Sequence, residues 1–263
     1  MVTRKTALVV PTDAVGSVPE MQPKLVVRLG RGRTGGTTGL DWMVQRARRE
    51  GRDPIVADAA RNPTLSRLYP GEALAPPSTD VVEVKDWLTS VLDCMLTEWR
   101  SAVLDLGGGQ DSTLAEYVRD LDLLAFCQDV GVLPVAVYFL GPEADDFAHA
   151  HAIWREGYFN TPQTLLVLNE GVLKRGQSPA GAFQGIQANP DFVAWAEAGA
   201  IPVYMRSLAP LEAMRELDLS FGAAMADRPG KGEQKLGPTR AWQVKSWNAA
   251  LEAEVREVGA WLP

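Results

Sequence analysis

Leu25-Val26-Val27-Arg28-Leu29-Gly30-Arg31-Gly32-Arg33-Thr34-Gly35-Gly36-Thr37-Thr38 reads as a short apolar strand, then a glycine-rich loop, then two hydroxyl residues opening a helix. In such a layout the loop N–H groups and the positive end of the helix dipole converge on anionic oxygens. One residue departs from the phosphate-loop pattern G-x-x-x-x-G-K-[ST]. Where the pattern has lysine, this chain has Gly36. The stretch therefore speaks to fold and ligand class more than to hydrolysis.

Outward from the loop, apolar strands alternate with amphipathic helices. Strand-like Lys24–Leu29 is followed by a helix over 37–51 that ends in a basic turn and a stop glycine. Pro54-Ile55-Val56-Ala57-Asp58 is a buried strand ending in a carboxylate, and a polar, proline-punctuated connection with one helical turn follows it. Residues 84–100 have helical periodicity, with Trp87, Leu88, Val91, Leu92, Met95 and Trp99 on one face. Ser101-Ala102-Val103-Leu104-Asp105-Leu106 is a second strand with a terminal carboxylate, running into the turn Gly107-Gly108-Gly109. That triplet could admit a sugar or phosphate at a strand end.

Further strands are expected at 133–140, 164–168 (capped by Asn169) and 201–205, with helices at 112–130, 144–156, 190–198, 210–225 and 238–262. Residues 227–237 read as a mobile joint. The last helix carries an apolar stripe of Trp242, Val244, Trp247, Leu251, Val255, Val258 and Trp261, suited to packing on the sheet or to an oligomer contact. Most tryptophans fall at core spacing, and Trp42 faces either the sheet or a partner. The alternation predicts an α/β fold: a doubly wound, mostly parallel sheet with helices on both faces. Residues 1–23 read as an N-terminal extension with a short strand at 7–10, and residues 24–263 as one domain. Ligands in such folds sit at the carboxyl ends of the strands, where Gly30–Thr38, Asp58, Asp105 and Asn169 all fall.

Composition narrows the function classes. The 263 residues are 46 % apolar and 22 % charged, with a net charge of −7, which opposes overall attraction to nucleic acid. A basic cluster of Arg46, Arg48, Arg49 and Arg52 is either a solvated helix C-terminus or a local DNA contact. Cys94 and Cys127 stand far apart without partners, and His149 and His151 fall on different helix faces at the surface, so no protein-built metal site is expected from them. No apolar run reaches membrane-spanning length, and the N-terminal apolar stretch is too short for a signal peptide. A cytoplasmic protein is expected.

Taken together, the loop, Asp58, Asp105 and Asn169 resemble the ParA/MinD family of deviant Walker A P-loop ATPases, over about residues 24–225. That family includes plasmid partition and stability proteins and conjugation-associated relatives. Its loop K-G-G-x-G-K-[ST]-[ST] lies on Arg31-Gly32-Arg33-Thr34-Gly35-Gly36-Thr37-Thr38 without a gap. The signature lysine becomes Arg31, the second glycine Arg33 and the loop lysine Gly36. The family's D-x-D is here Asp58-Ala59-Ala60. The resemblance implies ATP or ADP in the cradle Arg31–Thr38, with Asn169 near the adenine base. It further implies Mg2+ on Thr37 and Asp105, and Asp58 and Asp105 as the catalytic carboxylates. It also implies a homodimer in which Arg31 reaches the partner's nucleotide, and a DNA or protein partner in partition or conjugation. Gly36 supplies no charge to the β- and γ-phosphates and Ala60 no second carboxylate, so weak or absent hydrolysis is expected. Two alternatives stand beside this reading: a non-catalytic adaptor that no longer binds nucleotide, and a small-molecule phosphotransferase.

Overall fold

The computed structural model describes residues 22–107, 110–174 and 176–263. The strand expected at 7–10, and Gly108 and Gly109 of the glycine triplet, lie outside the described residues. Six strands, β1 (Lys24–Leu29), β2 (Ile55–Asp58), β3 (Ala102–Asp105), β4 (Leu133–Leu140), β5 (Thr164–Asn169) and β6 (Ile201–Met205), form one sheet in the order β2-β3-β1-β4-β5-β6. All pairings are parallel. Helices α1 (Gly36–Arg49), α2 (Thr64–Leu68) and α3 (Val81–Glu98) precede β3. Helices α4 (Asp111–Leu121) and α5 (Leu123–Asp129) precede β4, and α6 (Ala144–Glu156) precedes β5. Between β5 and β6 lie α7 (Pro179–Ala182), α8 (Gln184–Gln187) and α9 (Pro190–Glu197); α10 (Leu211–Glu216), α11 (Phe221–Met225) and α12 (Pro238–Glu254) follow β6.

A parallel sheet covered on both sides needs apolar residues at successive positions, which is why these strands read as runs rather than alternations. Leu25, Val27 and Leu29 of β1 join a core with α3, α4, α6 and α9. Val26 of β1, Val56 of β2 and Val103 of β3 join the other core, with α1, α11 and α12. At the carboxyl ends this second face turns polar. Register places Arg28 of β1 beside Asp105 of β3, and Asp105 beside Asp58 of β2. The chain leaves β1 toward β2 and β3 on one side and continues through β4, β5 and β6 on the other. The crevice at that reversal is where the glycine loop lies.

Several elements differ from the sequence expectation. The helix expected over 112–130 is two, because Asp122 adopts a left-handed conformation (φ 51°) between α4 and α5. The one over 210–225 is also two, α10 and α11, and the last helix passes into a 3-10 turn at Arg256–Trp261. α3 starts three residues early because Asp80 caps it, accepting from the N–H groups of Val82 and Glu83. His151 is buried rather than superficial, set among Phe147, Trp154 and Trp195, whereas His149 meets Asp111 at 3.2 Å. Trp42 is buried and donates to Asn248 Oδ1, but Trp99 and Trp242 are exposed. The segment 227–237 is tied down by a 3-10 turn and by the Gly237 N–H on Asp227 Oδ1. The basic cluster is engaged within the chain: Arg46 and Arg49 with Glu252, Arg48 with Asp53 and Glu72, and Arg52 with Glu50.

Candidate functional site

The loop between β1 and α1 folds around a few fixed points. Thr34 is buried and its hydroxyl donates to the Arg31 carbonyl at 2.9 Å. Gly35 takes the helix N-cap position with φ 89°, and a Cβ there would lie 2.0 Å from Asn169 Nδ2. Only glycine meets both demands. Asn169, at the end of β5, donates its amide to the Thr34 carbonyl (2.8 Å) and accepts from the Gly171 N–H (2.8 Å). Its side chain therefore clamps the loop to β5. The first N–H groups of α1 have no intrahelical partners, and among the described residues no side-chain hydrogen bond caps them, at a helix end that favours anions.

Beneath the loop stands a charge the motif does not anticipate. Arg28, the next-to-last residue of β1, has a side chain only 4 % exposed. Its Nη1 meets Asp105 Oδ1 at 3.3 Å, and its Nη2 donates to the Arg31 carbonyl at 2.7 Å. A Cβ on Gly36 would lie 2.1 Å from Arg28 Nε and 2.8 Å from Cδ. The guanidinium stem therefore occupies the room that a side chain at position 36 would need. Asp105 is fully buried; its Oδ2 accepts from the Thr37 hydroxyl at 2.6 Å and its Oδ1 also accepts from the Gly107 N–H at 2.9 Å. Arg28 was absent from the sequence-derived site. The signal was nonetheless present: a single charge in an apolar run that parallel pairing buries on both faces.

The loop opens on a cavity of about 630 Å³. Arg28, Arg33, Arg61, Arg67, Arg206 and Arg215 line it, against the acidic Asp41 and Asp218. In a chain of net charge −7 this is a local reversal of sign, which favours an anionic ligand. Apolar Leu208, Met214, Phe221 and Trp247 also line it. Asp41 sits there, buried in α1, where it accepts from the Tyr69 hydroxyl and from the Phe221 N–H. Burial pushes its carboxyl up to about 7, against the opposing pull of those hydrogen bonds and of Arg48.

That shift has a consequence for stability. A carboxyl with a raised folded pKa keeps its proton longer in the native state, so its contribution is full below the unfolded value near 3.8 and is lost as pH rises through about 7. Wild-type stability should decline across that window by about 1.4 kcal/mol per pH unit more than Asp41→Asn stability does. Urea unfolding of both proteins from pH 4 to 7.5 checks it, and parallel pH profiles would refute it.

The other sequence-derived residues divide. Gly32, Arg33, Gly35, Gly36, Thr37, Thr38 and Asn169 line the cavity, and Thr38 accepts from Arg215 Nη2 at 3.3 Å. Arg31 pairs with Asp146 (3.3 Å) and Asp145 (4.0 Å) in the first turn of α6 of its own chain. Asp58 caps the turn beyond β2: it accepts from the Ala60 N–H and from the N–H and hydroxyl of Ser66. Burial raises its pKa, with the neighbouring Asp105 adding to the effect.

Arg33 has φ 68° and is exposed, with no hydrogen bond or ion pair among the described residues. A left-handed arginine where the resembled loop has glycine carries backbone strain. Arg33→Gly should therefore stabilise the protein by about 0.5–1 kcal/mol while weakening its hold on an anion. Denaturant unfolding and a phosphate titration read the two effects separately, and an unchanged affinity would remove Arg33 from the site.

The parallel six-stranded sheet, with a strand–glycine loop–helix unit at its point of reversal, is a P-loop NTPase-like α/β fold. No family model and no curated protein matches the sequence. Among solved structures, the chain is similar to the MinC:MinD cell division protein complex of Aquifex aeolicus, at 12 % identity and a TM-score of 0.47, covering 88 % of this chain and 96 % of that one. It is similar also to FtsY from Mycoplasma mycoides, at 12 % identity and a TM-score of 0.37, covering 60 % of this chain and 58 % of that one. Among the described residues no helix is long and apolar enough to cross a membrane.

Proposed function

We propose that the chain binds a nucleoside di- or triphosphate, ATP or ADP, in the cradle Arg31–Thr38 and turns it over slowly or not at all. The observation that carries this reading is the convergence of an uncapped helix start, a glycine loop and six arginines on one cavity in an acidic protein. Slow turnover follows from the carboxylates. Asp58 is engaged in capping, and Ala60 stands where a second carboxylate would be needed. On the loop resemblance alone, the reading extends to a ParA-like switch that dimerises on nucleotide and works with DNA or a protein partner in plasmid partition, stability or conjugation. Calorimetric titration with ATP and ADP, paired with a phosphate-release assay, tests the proposal. Binding that Thr37→Val weakens, with negligible phosphate release, is expected. No heat at millimolar ligand would favour the adaptor alternative, and rapid turnover surviving Asp105→Ala would defeat the assignment.

A further inference from the structure

We infer that Arg28 stands in for both the loop lysine and the metal ion, so that the site takes a phosphate-bearing ligand without Mg2+. The inference rests on the nucleotide-binding reading above and concerns what neutralises the ligand.

Thr37 and Asp105 are brought together as a Mg2+ pair would be, but the surroundings do not fit a resident divalent cation. Asp105 Oδ1 already faces the Arg28 guanidinium, and both side chains are almost fully buried, at 4 % and 0 % exposure. A second cation beside that carboxylate would meet a fixed positive charge at short range, where repulsion is poorly screened. Among the described residues no group of three His, Cys, Asp or Glu side chains could hold a metal elsewhere.

The same side chain answers the missing lysine. The space beside Gly36 is filled by the Arg28 stem, so the substitution and the arginine are two halves of one arrangement. Arg28 lines the cavity beside the start of α1, and its buried Nε has no hydrogen-bond partner among the described residues. A guanidinium has five donors in a planar fork. Contacts to Asp105 and the Arg31 carbonyl leave donors for phosphate oxygens. Buried donors of this kind gain most from an anionic acceptor.

Two measurements test the inference together: ADP titrated calorimetrically in EDTA and in millimolar Mg2+, and Mn2+ binding followed by electron paramagnetic resonance. Wild-type protein should bind ADP in EDTA within threefold of its affinity in Mg2+, and should hold no Mn2+ at Asp105. Arg28→Gln, which keeps a polar side chain under the loop, should lose at least tenfold in ADP affinity in EDTA. It should also gain a bound Mn2+ that Arg28→Gln/Asp105→Asn lacks. A wild-type affinity that falls more than threefold in EDTA overturns the inference. So does Mn2+ on wild-type protein that Asp105→Asn abolishes, or a folded Arg28→Gln protein that gains no Mn2+. Absence of ADP binding in both buffers refutes the nucleotide reading instead, and the Mn2+ comparison still decides the place of Arg28. Should Arg28→Gln not fold, the EDTA comparison on wild-type protein and the Mn2+ comparison with Asp105→Asn decide alone.

Discussion

Gly36→Lys, which restores the residue the phosphate-loop pattern has, is expected to destabilise the protein by about 3 kcal/mol and to leave nucleotide affinity no better. The new Cβ would fall 2.1 Å from Arg28 Nε, 2.8 Å from Cδ and 2.9 Å from Cγ, the stem of the side chain rather than its free end. That stem is anchored by Asp105 and by the Arg31 carbonyl, so it cannot swing aside without leaving a buried carboxylate unpaired. Overpacking alone costs about 1–3 kcal/mol, and disturbing the ion pair adds to it. For a domain of this size the melting midpoint should fall by about 6–12 °C. The same lysine placed in an Arg28→Ala background should cost less than in wild-type protein, a coupling of at least ~1 kcal/mol. Thermal denaturation of the four proteins in this cycle measures it, and strict additivity would show that the two positions do not compete for space.

Arg28→Met should cost about 3–5 kcal/mol, the range for breaking a buried pair by removing one partner. Asp105 would keep the Thr37 hydroxyl and the Gly107 N–H but lose its only opposite charge among the described residues. Because the penalty lies in the stranded carboxylate, Arg28→Met/Asp105→Asn should recover part of the loss. Urea midpoints of the two variants check the order. A double variant less stable than Arg28→Met would mean that Asp105 does not need neutralising.

Much of this architecture was legible from residue pattern. The strand at Lys24–Leu29 is bounded by an apolar run and a glycine, and the same signals locate β4, β5 and β6. The break at Asp122 was not legible, because one left-handed aspartate leaves the helical periodicity on either side intact. His151 reads as a surface residue by spacing and is buried because α9 brings Trp195 over it. In the site, the loop and Asp105 follow from local sequence, since strand ends and glycines mark them. Arg28 does not. Its position relative to Gly36 and Asp105 depends on the β1–β3 register and on where α1 begins, both of which are tertiary. The absent lysine was visible as a loss, and Arg28 as a charge in an apolar run, but that the one fills the room of the other became visible only in three dimensions.

The most direct test is a crystal structure with ADP or a non-hydrolysable ATP analogue. The β-phosphate oxygens should lie within hydrogen-bond distance of N–H groups between Gly32 and Thr38, with the Arg28 guanidinium beside them. A nucleotide bound away from this loop, or phosphates that leave its N–H groups unpaired, would contradict this placement.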